Sequence, residues 1–207
     1  MSAPVLVTVV EGHGEVEALP VLLRRRQEDL RLPTVEIRRP IRAPGQAALT
    51  AFGGIERWVI LAMRQPRCGG ILVLYDAEGR CPKTDAPEMV RRARAVCAHL
   101  PLRVVMAKNE YEAWFLAGLN SLRGHRDLRA DACPPGNPEE IRNCKDHLTQ
   151  LMPPGRIYKE TSDQAALTAR LDYEQARKTA PSLDKFLRDV DSLLREMTTS
   201  GTRPQTS

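Results

Sequence analysis

Aromatic residues are scarce in this sequence, with two Trp, four Tyr and three Phe among 207 residues. Proteins that hold single-stranded nucleic acid by base stacking need several exposed rings, so this composition disfavours a stacking platform. The chain also has no apolar run close to the roughly 20 residues of a membrane-spanning helix. Its apolar residues 5–10 follow Met-Ser-Ala-Pro, which is not the basic start of a signal peptide. We therefore expect neither a membrane protein nor a secreted one.

The five cysteines include no Cys-x-x-Cys pair and no Cys/His cluster with the spacing of a zinc site. A chain of this length can build its core without disulfides, so we expect reduced thiols and a cytoplasmic protein. Lys and Arg exceed Asp and Glu by five, for a formal net charge of +5 and a pI of about 9.1. This small excess suits contact with phosphates, but charge alone would not hold nucleic acid.

The first half of the chain alternates short, β-branched apolar runs with longer amphipathic segments, which is the pattern of βαβ units. The predicted strands are residues 5–10, 34–38, 70–75 and 102–107. The predicted helices are residues 14–31, 54–65, 86–100, 110–119, 139–152, 162–178 and 182–197. This order predicts an α/β fold: a four-stranded, mostly parallel sheet flanked by helices, with a C-terminal helical appendage.

The prediction divides the chain into three parts. Residues 1–120 form the α/β domain, residues 121–197 form a helical appendage packed on it, and residues 198–207 form a disordered tail. The tail assignment rests on the absence of any apolar residue after position 197.

Acidic residues follow three of the four predicted strands. They are Glu11, Glu15, Asp76, Glu78, Glu110 and Glu112. The carboxyl ends of parallel strands meet at one edge of a sheet, where ligands commonly bind, so these side chains are expected to converge. Converging carboxylates repel one another unless a cation lies among them, and oxygen ligands of this kind suit Mg²⁺ or Mn²⁺. The sequence therefore predicts that all six are metal ligands.

Each acidic group also has a simpler explanation, which the sequence leaves open. Glu15 is an acid in the first turn of a predicted helix, where the helix dipole favours it, and Glu110 and Glu112 lie in the first turn of predicted helix 110–119 in the same way. Asp76 and Glu78 also fit an ordinary solvated turn. The argument for a metal site is that several acidic strand ends meet, rather than any one residue.

Basic residues supply two further predictions. Lys108 and Lys145 are candidate catalytic residues that would stabilise the developing negative charge on a phosphate, although a surface lysine explains each equally simply. The arginines predicted to bind nucleic acid are Arg24, Arg25, Arg38 and Arg39. Their alternative is a solvated helix face balanced by nearby acids.

Two short motifs carry a family resemblance. Val10-Glu11-Gly12 after the first strand and Asp76-Ala77-Glu78 after the third resemble the Toprim superfamily, in its OLD-like form, over residues 4–115. Glu78 stands where that pattern has a second Asp. Residues 110–117 and 163–167 also resemble a Toprim-like prokaryotic domain-of-unknown-function family numbered 4276. The resemblance implies that Glu11 is a metal ligand or the general acid/base, and that Asp76 and Glu78 hold Mg²⁺.

The resemblance also implies an activity. We expect a Mg²⁺-dependent nuclease or phosphodiester-transfer enzyme that acts on DNA or RNA, in phage defence or DNA processing. The chain has no Gly-x-x-x-x-Gly-Lys-Ser/Thr loop, so any ATP dependence would come from a separate ATPase subunit. The alternative is a non-catalytic Toprim-type module that binds nucleic acid or a partner ATPase. A phosphoryl-receiver domain is a weaker third hypothesis.

Overall fold

A computed structural model describes residues 2–200, the side chain of Ser200 excepted. Its sheet contains five strands: β1 (Val5–Val10), β2 (Glu36–Ile37), β3 (Ile41–Arg42), β4 (Cys68–Asp76) and β5 (Leu102–Ala107). All strand pairings are parallel, and the order is β2-β1-β4-β5, with β3 also paired to β1. The predicted α/β class is confirmed.

The predicted four-stranded count is corrected at one edge of the sheet. In place of a single strand over residues 34–38, β2 pairs with the start of β1 and β3 pairs with its end. Pro40 lies between the two short strands. Proline has no backbone N–H to donate to the neighbouring strand, which explains why the edge strand is interrupted there.

The helices cover both faces of this sheet. They are α1 (His13–Leu30), α2 (Gln46–Thr50), α3 (Gly54–Met63), α4 (Pro82–Val96), α5 (Ala113–Ala117), α6 (Leu119–Leu122), α7 (Cys144–Gln150), α8 (Ala165–Arg170), α9 (Tyr173–Ala176) and α10 (Pro181–Ser200). A 3₁₀ turn spans Pro138–Glu140, and a π-helical turn spans Glu160–Gln164. None of the helices between residues 2 and 200 combines the length and the apolar character needed to cross a membrane.

Three predicted helices are each broken into shorter pieces. Gly118 separates α5 from α6 within predicted helix 110–119, and Asn143 adopts a left-handed conformation just before α7 within predicted helix 139–152. In predicted helix 162–178, Asp172 caps α9 by accepting a hydrogen bond from the backbone N–H of Gln175. Side chains of this kind satisfy the free N–H groups of a new helix start, and so favour a break.

Alternation along the strands divides the core into two layers. Val5, Val7 and Val9 face a cluster that includes side chains of α3 and α4. Leu6 and Val10 face the other cluster, which includes α1 and α10. Successive strand residues point to opposite faces, so a fully apolar strand is buried on both sides.

The C-terminal helices belong to the second of these clusters. Leu74 of β4, Trp114 of α5 and Phe186 of α10 all lie within it and are buried. One apolar cluster thus contains side chains from both sides of the predicted boundary at residue 120. The predicted helical appendage is therefore the layer that covers one face of the sheet beside α1.

The last helix continues beyond its predicted end. Residues 198–200 lie in α10, although the sequence predicts a disordered tail from residue 198. The hydroxyl of Thr199 donates to the carbonyl oxygen of Arg195 one turn earlier, which lets a polar residue extend the helix. The rest of the predicted tail, residues 201–207, lies outside the described residues.

Ser182 joins the start of α10 to the end of β5. Its hydroxyl oxygen accepts from the backbone N–H of Lys108 and from Nε1 of Trp114, and its hydroxyl donates to Oε1 of Glu139 at 2.6 Å. Ser182→Ala leaves these buried groups without that partner, so we expect a loss of about 2 kcal/mol in the free energy of unfolding, measured in urea. The exposed Ser162→Ala is the matched control, and equal effects of the two substitutions would contradict this role.

Candidate functional site

Acidic side chains meet where β1, β4 and β5 end. Glu11 follows β1, Asp76 is the last residue of β4, and Glu110 lies just after β5. An open cleft of about 670 Å³ occupies this edge. Its walls are formed by Asp76, Glu78, Gly79, Arg80, Asn109, Glu110, Arg142, Asn143 and Lys145.

Glu11 links the ends of β1 and β4. The backbone N–H of Asp76 donates to Oε1 of Glu11 at 3.0 Å, whereas Oε2 is buried without a hydrogen-bond partner among the described residues. The pKa of Glu11 is raised from 4.5 to about 7, mainly by burial; the negative charges of Glu78 and Glu15 act in the same direction, and the hydrogen bond from Asp76 and the charge of Lys145 oppose them. This carboxyl therefore changes its protonation state near neutral pH.

Asp76 is fixed by two contacts from neighbouring segments. Its Oδ1 accepts from the backbone N–H of Tyr111 at 2.9 Å, and its carbonyl oxygen accepts from Nε2 of Gln46 at 2.7 Å. Burial raises the pKa of Asp76 well above its ordinary range, and the charges of Glu15, Glu112 and Glu11 act in the same direction. The site is therefore short of positive charge around its acidic groups.

Glu78 lies at the exposed end of the cleft. Its backbone adopts a left-handed conformation with φ of 45°, and its N–H donates to the carbonyl oxygen of Asn109 at 3.0 Å. Asn109 is also left-handed, with φ of 62°. Left-handed non-glycine residues carry backbone strain and are concentrated at functional sites, so this paired turn marks the cleft as a specialised part of the fold.

A second group of polar side chains lies in the interior behind the cleft. Nε2 of Gln164 donates to Oε1 of Glu15 at 2.9 Å and to Oε1 of Glu112 at 3.4 Å. The hydroxyl of Tyr158 donates to the same oxygen of Glu112 at 2.8 Å. We call Glu15, Glu112 and Gln164 the interior cluster. Burial raises the pKa of Glu112 to about 7; the charge of Lys145 lowers it and that of Glu15 raises it.

Three oxygens of the interior cluster have no hydrogen-bond donor among the described residues. They are Oε2 of Glu15, Oε2 of Glu112 and Oε1 of Gln164. Buried polar atoms are usually paired, and an unpaired one in a native protein calls for a physical explanation. Here all the unpaired atoms are acceptors, and a cation is a partner that acceptor oxygens can bind.

The sequence singles out Gln164 only as part of a family-like segment, and it does not single out Tyr158 at all. Gln164 is separated from Glu15 by 149 positions in the chain. No local pattern indicates that pairing, because it depends on the packing of the π-helical turn against α1.

Two glycines permit the close packing around the first turn. A Cβ atom on Gly12 would lie 2.1 Å from Oε2 of Glu15, and a Cβ atom on Gly14 would lie 1.9 Å from Oε1 of Gln164. Both distances are far below van der Waals contact. Because Gly12 and Gly14 have no side chains, Oε2 of Glu15 and Oε1 of Gln164 can lie against the backbone at the start of α1.

Gly14→Ala should therefore destabilise the protein by about 1–3 kcal/mol in urea unfolding. Without the close contact the sign would be reversed, because Ala is the better helix former and Gly14 lies in α1. Gly136→Ala is the control, since a Cβ atom there meets nothing within 4 Å. If Gly14→Ala stabilised the protein, the close contact between Gln164 and position 14 would be contradicted.

Of the two predicted lysines, Lys145 lines the cleft. Its Nζ forms a 2.6 Å ion pair with Glu160, and its backbone N–H donates to Oε2 of Glu110 at 3.3 Å. Burial opposes the charged form of Lys145, but the carboxylates of Glu112 and Glu160 raise its pKa above the ordinary value. Lys145 therefore carries a positive charge at the acidic edge.

Lys108 does not line the cleft. Its Nζ donates to the carbonyl oxygen of Arg80 at 3.4 Å. Two arginines that the sequence did not single out, Arg80 and Arg142, line it instead.

The four predicted nucleic-acid-binding arginines lie away from the cleft walls. Arg24 donates to the carbonyl oxygen of Ile37, and Arg25 donates to those of Thr168 and Leu171. Their partners are thus backbone groups of the fold. Arg38 pairs with Glu36, and Arg39 pairs with Glu17. Their role in nucleic-acid binding stays a prediction.

Metal ligation at this edge would involve few protein groups for each ion. Within residues 2–200, no three Asp, Glu, His or Cys side chains are arranged to hold one metal ion together. Mg²⁺ commonly binds one or two carboxylates, while water and substrate phosphates occupy its other positions. The arrangement of Glu11 and Asp76, with an unpaired oxygen beside an open cleft, suits that mode of binding.

Comparison with known families identifies one match. The sequence matches the model of a family described as "Domain of unknown function (DUF4276)" over residues 10–191. No curated protein and no solved structure matches the chain. The matched range contains every residue of the cleft and of the interior cluster.

Proposed function

We propose that this chain, which belongs to the DUF4276 family, is an OLD-like Toprim nuclease that uses Mg²⁺ or Mn²⁺ to cleave phosphodiester bonds. One observation carries the proposal. Carboxylates at the ends of β4 and β5 line a cleft of about 670 Å³ together with Arg80, Arg142 and Lys145. Glu11, at the end of β1, accepts from the backbone N–H of Asp76 in that lining. Acidic groups that can hold a cation and basic groups that can hold a phosphate are thus brought together, as phosphodiester cleavage requires.

The residues present fit a divalent cation. Oε2 of Glu11 is buried with no hydrogen-bond partner among the described residues, and the pKa of Asp76 is raised by burial and by the negative charges of Glu15, Glu112 and Glu11. One or two carboxylates from among Glu11, Asp76 and Glu78 would hold a cation at the cleft, with water and substrate phosphate in its other positions. A bound cation would supply charge neutralisation at the phosphate, which lowers the barrier to nucleophilic attack.

The protein's own residues would contribute positioning and proton transfer. Arg142 and Lys145 would bind the phosphate oxygens from the C-terminal layer, while Arg80 would approach from the loop after β4. Glu11 has a pKa of about 7, so its carboxylate can accept a proton near neutral pH and return it later. These two roles are alternatives, because a cation bound to this carboxylate would keep it ionised: Glu11 would act either as a ligand or as the general acid/base.

The test is cleavage of supercoiled plasmid, linear duplex, single-stranded DNA and RNA by the purified protein in Mg²⁺, Mn²⁺ or EDTA. We expect metal-dependent cleavage of at least one substrate, lost in Glu11→Gln, whose fold is checked by circular dichroism. Binding of nucleic acid with no cleavage in either metal would overturn the nuclease proposal and support the non-catalytic module. Equal cleavage by Glu11→Gln would indicate a contaminating nuclease.

Three narrower predictions accompany the nuclease proposal. They are the cytoplasmic location, the separate ATPase subunit and the role in phage defence or DNA processing. Each follows from composition or from the Toprim resemblance, and each needs its own experiment. Adding a purified partner ATPase to the cleavage assay would test the second of them.

A further inference from the structure

We propose that Asn109 is a positioning residue that holds Arg142 at the cleft, where the arginine meets a phosphate of the bound nucleic acid. The inference rests on the proposed function, in which Arg142 is one of the groups that bind phosphate. Asn109 follows β5 in the chain, lines the cleft and is 7% exposed. Its contribution is to fix the spacing between the loop that carries Glu78 and the segment that carries Arg142.

The side chain of Asn109 holds the segment that leads into Arg142. Its Nδ2 donates to the carbonyl oxygen of Glu139 at 2.9 Å and to that of Ile141 at 3.1 Å. These two residues lie 30 and 32 positions further along the chain, and Arg142 follows directly. An amide group has two N–H donors, and both are used on this one segment. The position of the backbone beside Arg142 therefore depends on Asn109.

The backbone of Asn109 holds the acidic loop after β4. Its carbonyl oxygen accepts from the N–H of Glu78 at 3.0 Å. The N–H of Ala77 donates to the carbonyl oxygen of Ala107 at 2.8 Å, so the contact between the two chain segments continues past the ends of β4 and β5. One residue is thus bonded both to the acidic loop and to the segment before α7, and its loss would change the distance between them.

The chain at Asn109 is bent into a tight three-residue turn. The N–H of Glu110 donates to the carbonyl oxygen of Lys108 at 3.0 Å, and φ of Asn109 is 62°. A hydrogen bond between residues i and i+2, with positive φ at the central residue, is the pattern of a γ-turn in its rare, strained form. Strain of this kind persists only where surrounding contacts fix it, and at functional sites it serves to hold groups in place.

Arg142 depends on this support because its side chain has no support of its own. The side chain is exposed, and no hydrogen bond or ion pair joins it to another described residue. By contrast, Lys145 is paired with Glu160, and Arg80 is paired with Asp85 at 2.7 Å. A free guanidinium presents a fork of donors that matches the oxygens of a phosphate. Its reach into the cleft is set by the backbone that Asn109 holds.

Asn109→Gly is the test variant. Glycine adopts the left-handed conformation without strain, but it has no amide to hold residues 139 and 141. The bond between Glu139 and Ser182 still anchors the segment, so we expect the fold to survive, as checked by circular dichroism and urea unfolding. The matched control is Asn137→Gly, at an exposed asparagine of the same segment whose side chain donates to Glu140 at 3.4 Å.

The measurement is the salt dependence of nucleic-acid binding. Short fluorescein-labelled DNA and RNA, single-stranded and duplex, are titrated by fluorescence anisotropy from about 50 to 200 mM KCl at a fixed low Mg²⁺ concentration. Every protein also carries Glu11→Gln, so that bound nucleic acid is not cut. Each phosphate contact that is lost reduces the slope of log K against log salt concentration by up to roughly 0.9.

We expect this reduction in Asn109→Gly and in Arg142→Ala, and none in Asn137→Gly. The double variant Asn109→Gly/Arg142→Ala should show no further reduction, because both changes remove the same contact. Asn109→Gly/Arg80→Ala should show the sum of two reductions, because Arg80 lies on a different loop. A purely structural role for Asn109 would lower stability and leave the slope unchanged. That result, or additive reductions with Arg142→Ala, would overturn the inference.

Failure of this inference and failure of the nuclease proposal give different results. Metal-dependent cleavage by the wild type, together with an unchanged slope in Asn109→Gly, would leave the nuclease and remove the role of Asn109. Binding without cleavage by the wild type, together with a reduced slope in Asn109→Gly, would keep that role and remove the nuclease. A chain that binds none of these nucleic acids would overturn both.

Discussion

Replacing Asp76 by asparagine should reduce metal-dependent cleavage at least about 1,000-fold, which corresponds to about 4 kcal/mol of transition-state stabilisation. The amide keeps an oxygen that can accept from the backbone N–H of Tyr111, so the local structure should survive. It removes the negative charge that a cation at the cleft would bind. The measurement is the initial rate of plasmid nicking in Mg²⁺, compared with the wild type.

The same substitution should stabilise the metal-free protein. Burial and the charges of Glu15, Glu112 and Glu11 raise the pKa of Asp76, which means that the ionised form is unfavourable in the folded state. A variant that gains stability and loses activity is the pattern expected of a residue kept for function. Asp131→Asn, at an exposed acid, is the control and should change neither quantity. A destabilised but active Asp76→Asn protein would contradict the site assignment.

Glu112→Gln should stabilise the metal-free protein at about pH 8 by on the order of 2–3 kcal/mol and have little effect near pH 4. The pKa of Glu112 is about 7 in the folded protein and 4.5 ordinarily. The folded state therefore binds more protons than the unfolded state between these two values, so the free energy of unfolding falls as pH rises through that window. The substitution removes the buried charge while keeping an oxygen for Tyr158.

Urea unfolding at a series of pH values, in EDTA and in saturating Mn²⁺, measures this effect. The wild type should lose stability from about pH 4.5 to 7, and the slope should be shallower in Glu112→Gln, with Glu11 supplying part of what remains. In Mn²⁺ the wild type should be the more stable of the two proteins, because the ionised carboxylate of Glu112 favours cation binding and the neutral amide of the variant does not. The exposed Glu28→Gln is the control. Identical pH profiles for Glu112→Gln and the wild type would show that Glu112 is not the titrating group.

Much of the fold could be predicted because strand and helix periodicity are local properties of the chain. The predicted strand at residues 5–10 and the actual β1 coincide, and α1 differs from its prediction by one residue at each end. Errors in the N-terminal half are the split edge strand over residues 34–38 and the short helix α2, which was not predicted. The other errors lie in the C-terminal half, where helices are short. There, Gly118, Asn143 and Asp172 mark the breaks, and local pattern alone did not distinguish a break from a helix that continues through it.

The candidate site likewise contains some residues that the sequence could predict and others that it could not. Glu11 and Asp76 could be predicted because residues just after buried parallel strands must lie at one edge of the sheet. The cationic lining was predicted only for Lys145, since Arg80 and Arg142 carry no distinguishing local pattern.

The amino-acid pattern is thus sufficient for the α/β class, the acidic edge and the expectation that a cation compensates it. Packing of segments distant in the chain determined the rest: Gln164 meets Glu15 across 149 positions, and Tyr158 meets Glu112 across 46. Such contacts arise when the C-terminal helices bury their apolar faces against α1 and the sheet. Periodicity reports which face of an element is buried, but the neighbour it is buried against depends on the whole folded chain.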